Sequence, residues 1–104
     1  MVIMTVIYQT PKDKSAFDQH YFNVHIPLAK KLPGLIRYEI SKTPVGSTTG
    51  HTDVHLIGNL YFESVNDLKN AFASEIGQQC AADRKILAPG NEDVQIYFYE
   101  TQEV

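Results

Sequence analysis

Tyr21-Phe22-Asn23-Val24-His25-Ile26-Pro27-Leu28, running on into Leu32-Pro33-Gly34-Leu35, is the stretch on which the reading of this chain turns. Phe17, Tyr21, Val24, Leu28 and Leu32 recur at the spacings of one face of an α-helix. His25 falls beside that stripe, not opposite it. Pro27 has no N–H, so the carbonyl of Asn23 is expected to lose its helical partner, and the ring is expected to push Ile26 out of helical geometry. A helix that breaks just after a histidine lets the imidazole turn inward. Leu32-Pro33-Gly34 then ends the helix, because Gly34 accepts the positive φ of a terminating turn.

Upstream, Val2 to Tyr8 is β-branched and apolar on both alternating faces, which reads as a strand covered on both sides. Ser15-Ala16-Phe17-Asp18 has the spacing of a capping box and is expected to open the first helix. Downstream, Leu35 to Lys42 alternates as a second strand, with Ile36, Tyr38 and Ile40 on one face. Residues 43–52, rich in Pro, Gly, Ser and Thr, form a loop longer than a hairpin needs, and it carries His51. Asp53 to Phe62 is a third strand in which Gly58 leaves a gap on the Val54, Leu56, Leu60, Phe62 face. Ser64 and Ser74 cap two successive helical pieces, and Val94 to Glu100 is a last strand, aromatic on both faces.

The order is strand, helix, strand, strand, helix in two pieces, strand. It predicts an α+β, ferredoxin-like β-α-β-β-α-β subunit over residues 1–104, one domain with a four-stranded antiparallel sheet and its helices on one face. The other face would show several of Ile3, Ile7, Ile57, Tyr61, Tyr97 and Tyr99, or their opposites. An open apolar face of that size predicts a second copy packed on it, sheet to sheet.

With 104 residues and a net charge of −3, the chain lacks the basic runs of a nucleic-acid binder. Its single cysteine, Cys80, excludes an intrachain disulfide and fits a reducing compartment; it reads as a small buried residue. No run reaches transmembrane length, and Met1 to Tyr8 lacks the features of a signal peptide. The expectation is a soluble cytoplasmic protein with no membrane partner.

His25, Tyr38, His51, His55, Tyr8 and Asp83 are the polar groups available for chemistry. A histidine moves protons near neutral pH, and a tyrosine hydroxyl donates to a developing oxyanion. A helix–sheet cavity polar only at these points suits a small carbonyl compound. Plainer readings stand beside these. His25 can bond the carbonyl that Pro27 frees, Tyr38 can be a core tyrosine with its hydroxyl at the rim, and His51 can be a solvated loop residue. His55 can bond across the sheet or dimer, Asp83 reads as a helix-surface or helix-to-backbone residue, and His20 as exposed. The His20/His25 and His51/His55 spacings match no metal-binding pattern, and no GxGxxG, P-loop or nucleophile elbow is present, so neither metal nor cofactor is predicted.

The segment His20 to Leu35 strongly resembles the EthD family, known for a tyrosine-rich helix ending in His-x-Pro-Leu and then Leu-Pro-Gly-Leu. The resemblance continues at Asn59 to Ser64, at Ala73 to Gln78 with Ala81-Ala82-Asp83, and near Tyr99-Glu100. It implies a dimeric α+β barrel. The wider superfamily includes cofactor-free monooxygenases, haem-degrading proteins and a methylmuconolactone methylisomerase. The last is similar to this chain at His25, at Pro33-Gly34-Leu35 with Tyr38-Glu39, and at His51 by its spacing after Tyr38. That likeness implies His25, Tyr38 and His51 as catalytic; Tyr8, Tyr21 and His55 are expected to line the substrate site. The favoured function is a cofactor-independent isomerase or monooxygenase-like oxidoreductase acting on a small apolar carbonyl, lactone or aromatic compound. The alternative is a non-catalytic binding or carrier protein using the same pocket, and a structural adaptor is the third reading.

Overall fold

The computed structural model describes all 104 residues. The elements run β1 (Val2–Gln9), α1 (Lys14–His20), a π-helical turn (Tyr21–His25), α2 (Ile26–Ala29), β2 (Arg37–Ile40), β3 (Val54–Phe62), α3 (Val65–Ala73), α4 (Glu75–Leu87) and β4 (Val94–Glu100). The strands pair antiparallel in the order β2-β3-β1-β4, so the first and third strands are central. This is the ferredoxin-like α+β arrangement that the alternation of patterns predicts.

Val2, Val6 and Tyr8 of β1 and Leu56, Leu60 and Phe62 of β3 meet Phe17, Tyr21, Ala29, Leu32, Leu68, Ala71 and Cys80 in one core. Each large side chain fully buried there stabilises the fold by about 2 kcal/mol. Ser64 and Ser74 cap α3 and α4 as their spacing predicts, accepting from the amides of Asp67 and Gly77 at 3.1 Å. The first cap differs from expectation. Asp13, not Ser15, accepts from the amide of Ala16 at 3.0 Å, because its charged oxygen is the better partner for free N–H groups. The second strand is shorter than its alternation suggests, being an edge strand. Its flanks, Ile36 and Ser41, still donate to carbonyls of β3 at 2.8 Å.

The larger correction concerns Pro27. The helix does not break there. The amide of Ile26 reaches back to the carbonyl of Tyr21, five residues away, and Ile26 stays helical at φ −59° and ψ −50°. Pro27 then sits in the first turn of α2, where a missing N–H costs least. The wide turn adds one residue, and that rotates the inward stripe. Phe17 and Tyr21 are buried as predicted, but Val24 is exposed and Leu28 only half-buried. His25 and Ala29 take their places, and the stripe rejoins Leu32. Gly34, at φ +78°, ends the segment as expected.

The register places Ile3 between Tyr61 and Tyr99, Thr5 between Asn59 and Tyr97, and Ile7 opposite Ile57, all on the face away from the helices. Polar bonds cross that face. Thr5 donates to Asn59 at 2.8 Å, Tyr61 donates to Glu39 at 2.8 Å, and the Arg37 guanidinium lies 4.3 Å from the centre of the Tyr61 ring. Strand β4 is open on both sides, because Ile96 and Phe98, whose partners Val6 and Met4 face the helices, are themselves exposed.

Candidate active site

A cavity of about 160 Å³ lies between the helices and the sheet, with Tyr8, Tyr21, His25, Tyr38 and Arg84 the polar groups of an otherwise mainly apolar lining. The π-turn brings His25 there. Its ring stacks on Tyr21 at a centroid distance of 5.4 Å, and Tyr21 stacks in turn on Phe17. Tyr8 meets both Phe17 and Tyr21 edge-on. The two tyrosine hydroxyls of Tyr21 and Tyr38 hydrogen-bond each other.

Gly58 makes that pairing possible. A Cβ at this position would lie 3.3 Å from the Tyr21 hydroxyl and 3.6 Å from the Tyr38 ring. The gap read from the strand pattern is therefore filled by the tyrosine pair.

His25 Nδ1 is 2.8 Å from Oδ2 of Asp83 on α4, and Oδ1 of the same carboxylate is 2.7 Å from His20 Nε2. An ionised carboxylate only accepts, so Nδ1 carries the proton in the neutral ring and Nε2 is left with its lone pair. Nε2 has no protein partner. Burial lowers the pKa of His25; the bond to Asp83 and its charge work in the opposite direction without reversing the shift. The ring is thus neutral at pH 7, with a basic nitrogen. Burial also raises the tyrosines, Tyr38 to about 12 and Tyr8 and Tyr21 further, so all three remain protonated donors. Cys80 is buried in the same wall and its thiol is pushed up to about 11, chiefly by burial, so it offers no thiolate.

Of the residues singled out from sequence, His25, Tyr38, Tyr8 and Tyr21 converge on the cavity. His51 does not. It is exposed on the β2–β3 connection and bonded to Asp53 at 2.9 Å, outside the residues that line the cavity. His55 is also elsewhere. The pairing of β1 with β3 slips between Tyr8 and Gln9, leaving His55 without an opposite residue. The imidazole meets Asp18 of α1 at 2.8 Å and abuts Phe17, on a second, polar groove beside the β2–β3 connection.

Asp83 is neither at the helix surface nor bonded to its backbone: it is buried and meets two imidazoles, and His20 is half-buried against it rather than exposed. A signal existed in the sequence. Gly77, Cys80 and Asp83 are three apart on α4, and a carboxylate on a helix's inward stripe needs a partner.

The EthD domain model matches residues 9–88 of this chain. An uncharacterised 11.0 kDa protein from the thcB–thcC intergenic region of Rhodococcus erythropolis is 37% identical over 91 residues, 86% of each chain. An EthD family protein of Bacillus halodurans is 31% identical and superposes with a TM-score of 0.88, over 98% of this chain and 99% of its own. Two structures of lower identity share the fold. SnoaB, a cofactor-independent oxygenase of Streptomyces nogalater, is 11% identical with a TM-score of 0.69, over 99% and 94% of the two chains. A dimeric ferredoxin-like protein of Jannaschia is 15% identical with a TM-score of 0.68, over 97% and 100%.

Proposed function

The chain belongs to the EthD domain family, and from that premise we propose that it is a cofactor-independent enzyme using His25 as general acid/base on a small carbonyl, lactone or aromatic compound. One observation carries this reading. A buried imidazole is held by Asp83 at 2.8 Å with its second nitrogen unpartnered, in the wall of a mainly apolar cavity. A base oriented by a carboxylate is the arrangement that proton transfer requires. The volume of about 160 Å³ matches a molecule of about one ring.

In the proposed step, Nε2 removes a proton from a carbon next to a carbonyl. The electron pair moves onto the carbonyl oxygen, which accepts a hydrogen bond from Tyr38 or Tyr21. Return of the proton from Nε2 to a different carbon gives an isomer and restores the neutral ring. If dioxygen meets a deprotonated methylene instead, the carbon becomes a carbonyl, one oxygen atom stays on it, and the other leaves as water with the two hydrogens. The cofactor-independent oxygenase of the same fold supports keeping that second outcome in the reading. His51, at its place on the single chain, takes no part.

Association of two copies through the open sheet face belongs to the same proposal. It is supported by the exposed aromatic residues of β4 and by the dimeric protein of like fold.

The test uses α-angelica lactone and cyclopentanone in heavy water, with deuterium uptake and double-bond migration followed by proton NMR. The wild-type protein is expected to accelerate exchange, and His25→Gln to lose about a hundredfold or more. Equal rates in a folded His25→Gln would remove His25 from the chemistry. Saturable binding of these probes without exchange would favour the carrier reading.

A further inference from the structure

Arg84 is the one fixed cation in the cavity wall, and it has no carboxylate partner. Its neighbour Asp83 turns its two oxygens to His20 and His25 and forms no ion pair with it. The side chain of Arg84 makes a single hydrogen bond, from Nη1 to the carbonyl of Ala88 at 3.0 Å, which caps the end of α4 and leaves the other donors of the guanidinium free. Arg84 lines the same cavity as Tyr8 and His25.

Tyr8 supplies the second, independent observation. It is only 1% exposed, it lines the same cavity, and its hydroxyl has no hydrogen-bond partner in the protein. No fully buried side-chain polar atom of the protein lacks a partner, so the unpaired Tyr8 hydroxyl is open to the cavity, where a ligand can accept from it. A donor without an acceptor beside a cation without an anion is what a bound carboxylate would complete.

We infer that Arg84 and Tyr8 form an oxyanion-binding end of the cavity, and that the natural ligand is a small organic acid of about one ring whose carboxylate docks there. This rests on the reading of the cavity as the substrate site and adds the substrate's class. With the carboxylate at Arg84 and Tyr8, the rest of the molecule lies among apolar side chains, within the reach of His25 and the Tyr21–Tyr38 pair. Arg84 and Tyr8 bind and orient, and His25 moves the proton.

The experiment compares benzoate with benzyl alcohol, which have the same ring and nearly the same length, by ligand-observed NMR and calorimetry at pH 7.5. The wild-type protein is expected to bind benzoate about tenfold or more tighter than benzyl alcohol. Arg84→Met is expected to abolish that preference while leaving benzyl alcohol within about twofold. Arg84→Lys should retain most of the preference, and Tyr8→Phe should lower benzoate affinity several-fold, by more than it lowers that of benzyl alcohol. Equal affinity for the two probes in the wild-type protein, or a preference that survives Arg84→Met, would overturn the inference while leaving the cavity a ligand site. Failure of both probes to bind would overturn the inference together with the proposed function.

Discussion

At the scale of single residues, His25 links function to stability. Burial favours its neutral form in the folded state, so its pKa is lower folded than unfolded. Above the ordinary histidine value of about 6.5, neither state binds this proton, and the residue adds no pH dependence. Below it, the unfolded chain takes up a proton before the folded chain does, so stability falls as pH falls toward the depressed folded value. Urea unfolding of the wild-type protein and His25→Gln at pH 8, 6.5 and 5 should therefore show the wild-type advantage shrinking on acidification. An advantage that is constant or grows toward pH 5 would contradict the assignment. The candidate groups themselves were legible as residue types, since His25, Tyr38, Tyr8 and Tyr21 all reach the cavity. Asp83 was not. A lone aspartate on a helix looks the same in sequence whether it faces water or a histidine 58 residues away.

Between elements, the tightest constraint is the corner joining α3 to α4. Ser74 caps α4, and Gly77 packs against the last turn of α3 so closely that a Cβ would stand 2.2 Å from the carbonyl of Ala71 and 2.4 Å from the Cα of Phe72. Both obstacles are backbone and cannot swing aside. Gly77→Ala should cost about 3 kcal/mol or more, read as a lowered urea midpoint. A loss below about 1 kcal/mol would mean the corner is softer than its geometry implies. Strand and helix identities followed from periodicity and caps, but the helical register did not. A 3.6-residue repeat laid over Phe17 to Leu32 puts Val24 and Leu28 inside, whereas the π-turn at Tyr21–His25 puts His25 and Ala29 there. One extra residue in one turn decides whether the imidazole faces the cavity.

For the molecule as a whole, the sheet's outer face is the surface the proposed second copy would cover. Ile96, Tyr97, Phe98 and Tyr99 are each about half exposed, along an edge strand whose backbone is unpaired on one side. Aromatic surface of this extent is what the proposed second copy would cover. Sedimentation at micromolar concentration should give twice the 11.7 kDa chain mass, and Ile57→Lys with Tyr97→Glu should return the monomer mass. A wild-type monomer at those concentrations would leave the sheet face without a second copy.

Taken alone, the sequence determined the order of elements, the ferredoxin-like topology, the caps at Ser64 and Ser74, the stop at Gly34 and the family. These are local or periodic properties, set by turn chemistry, hydrophobic alternation and a motif held within sixteen consecutive residues. Tertiary structure alone decided that His25 bonds Asp83, that Tyr21 meets Tyr38 over Gly58, and that His51 stays outside. Those outcomes depend on how far apart in space distant residues come to rest. That distance is set by the width of one helical turn, the slip of one strand register and the packing of α4 on the helix before it, which no local pattern encodes.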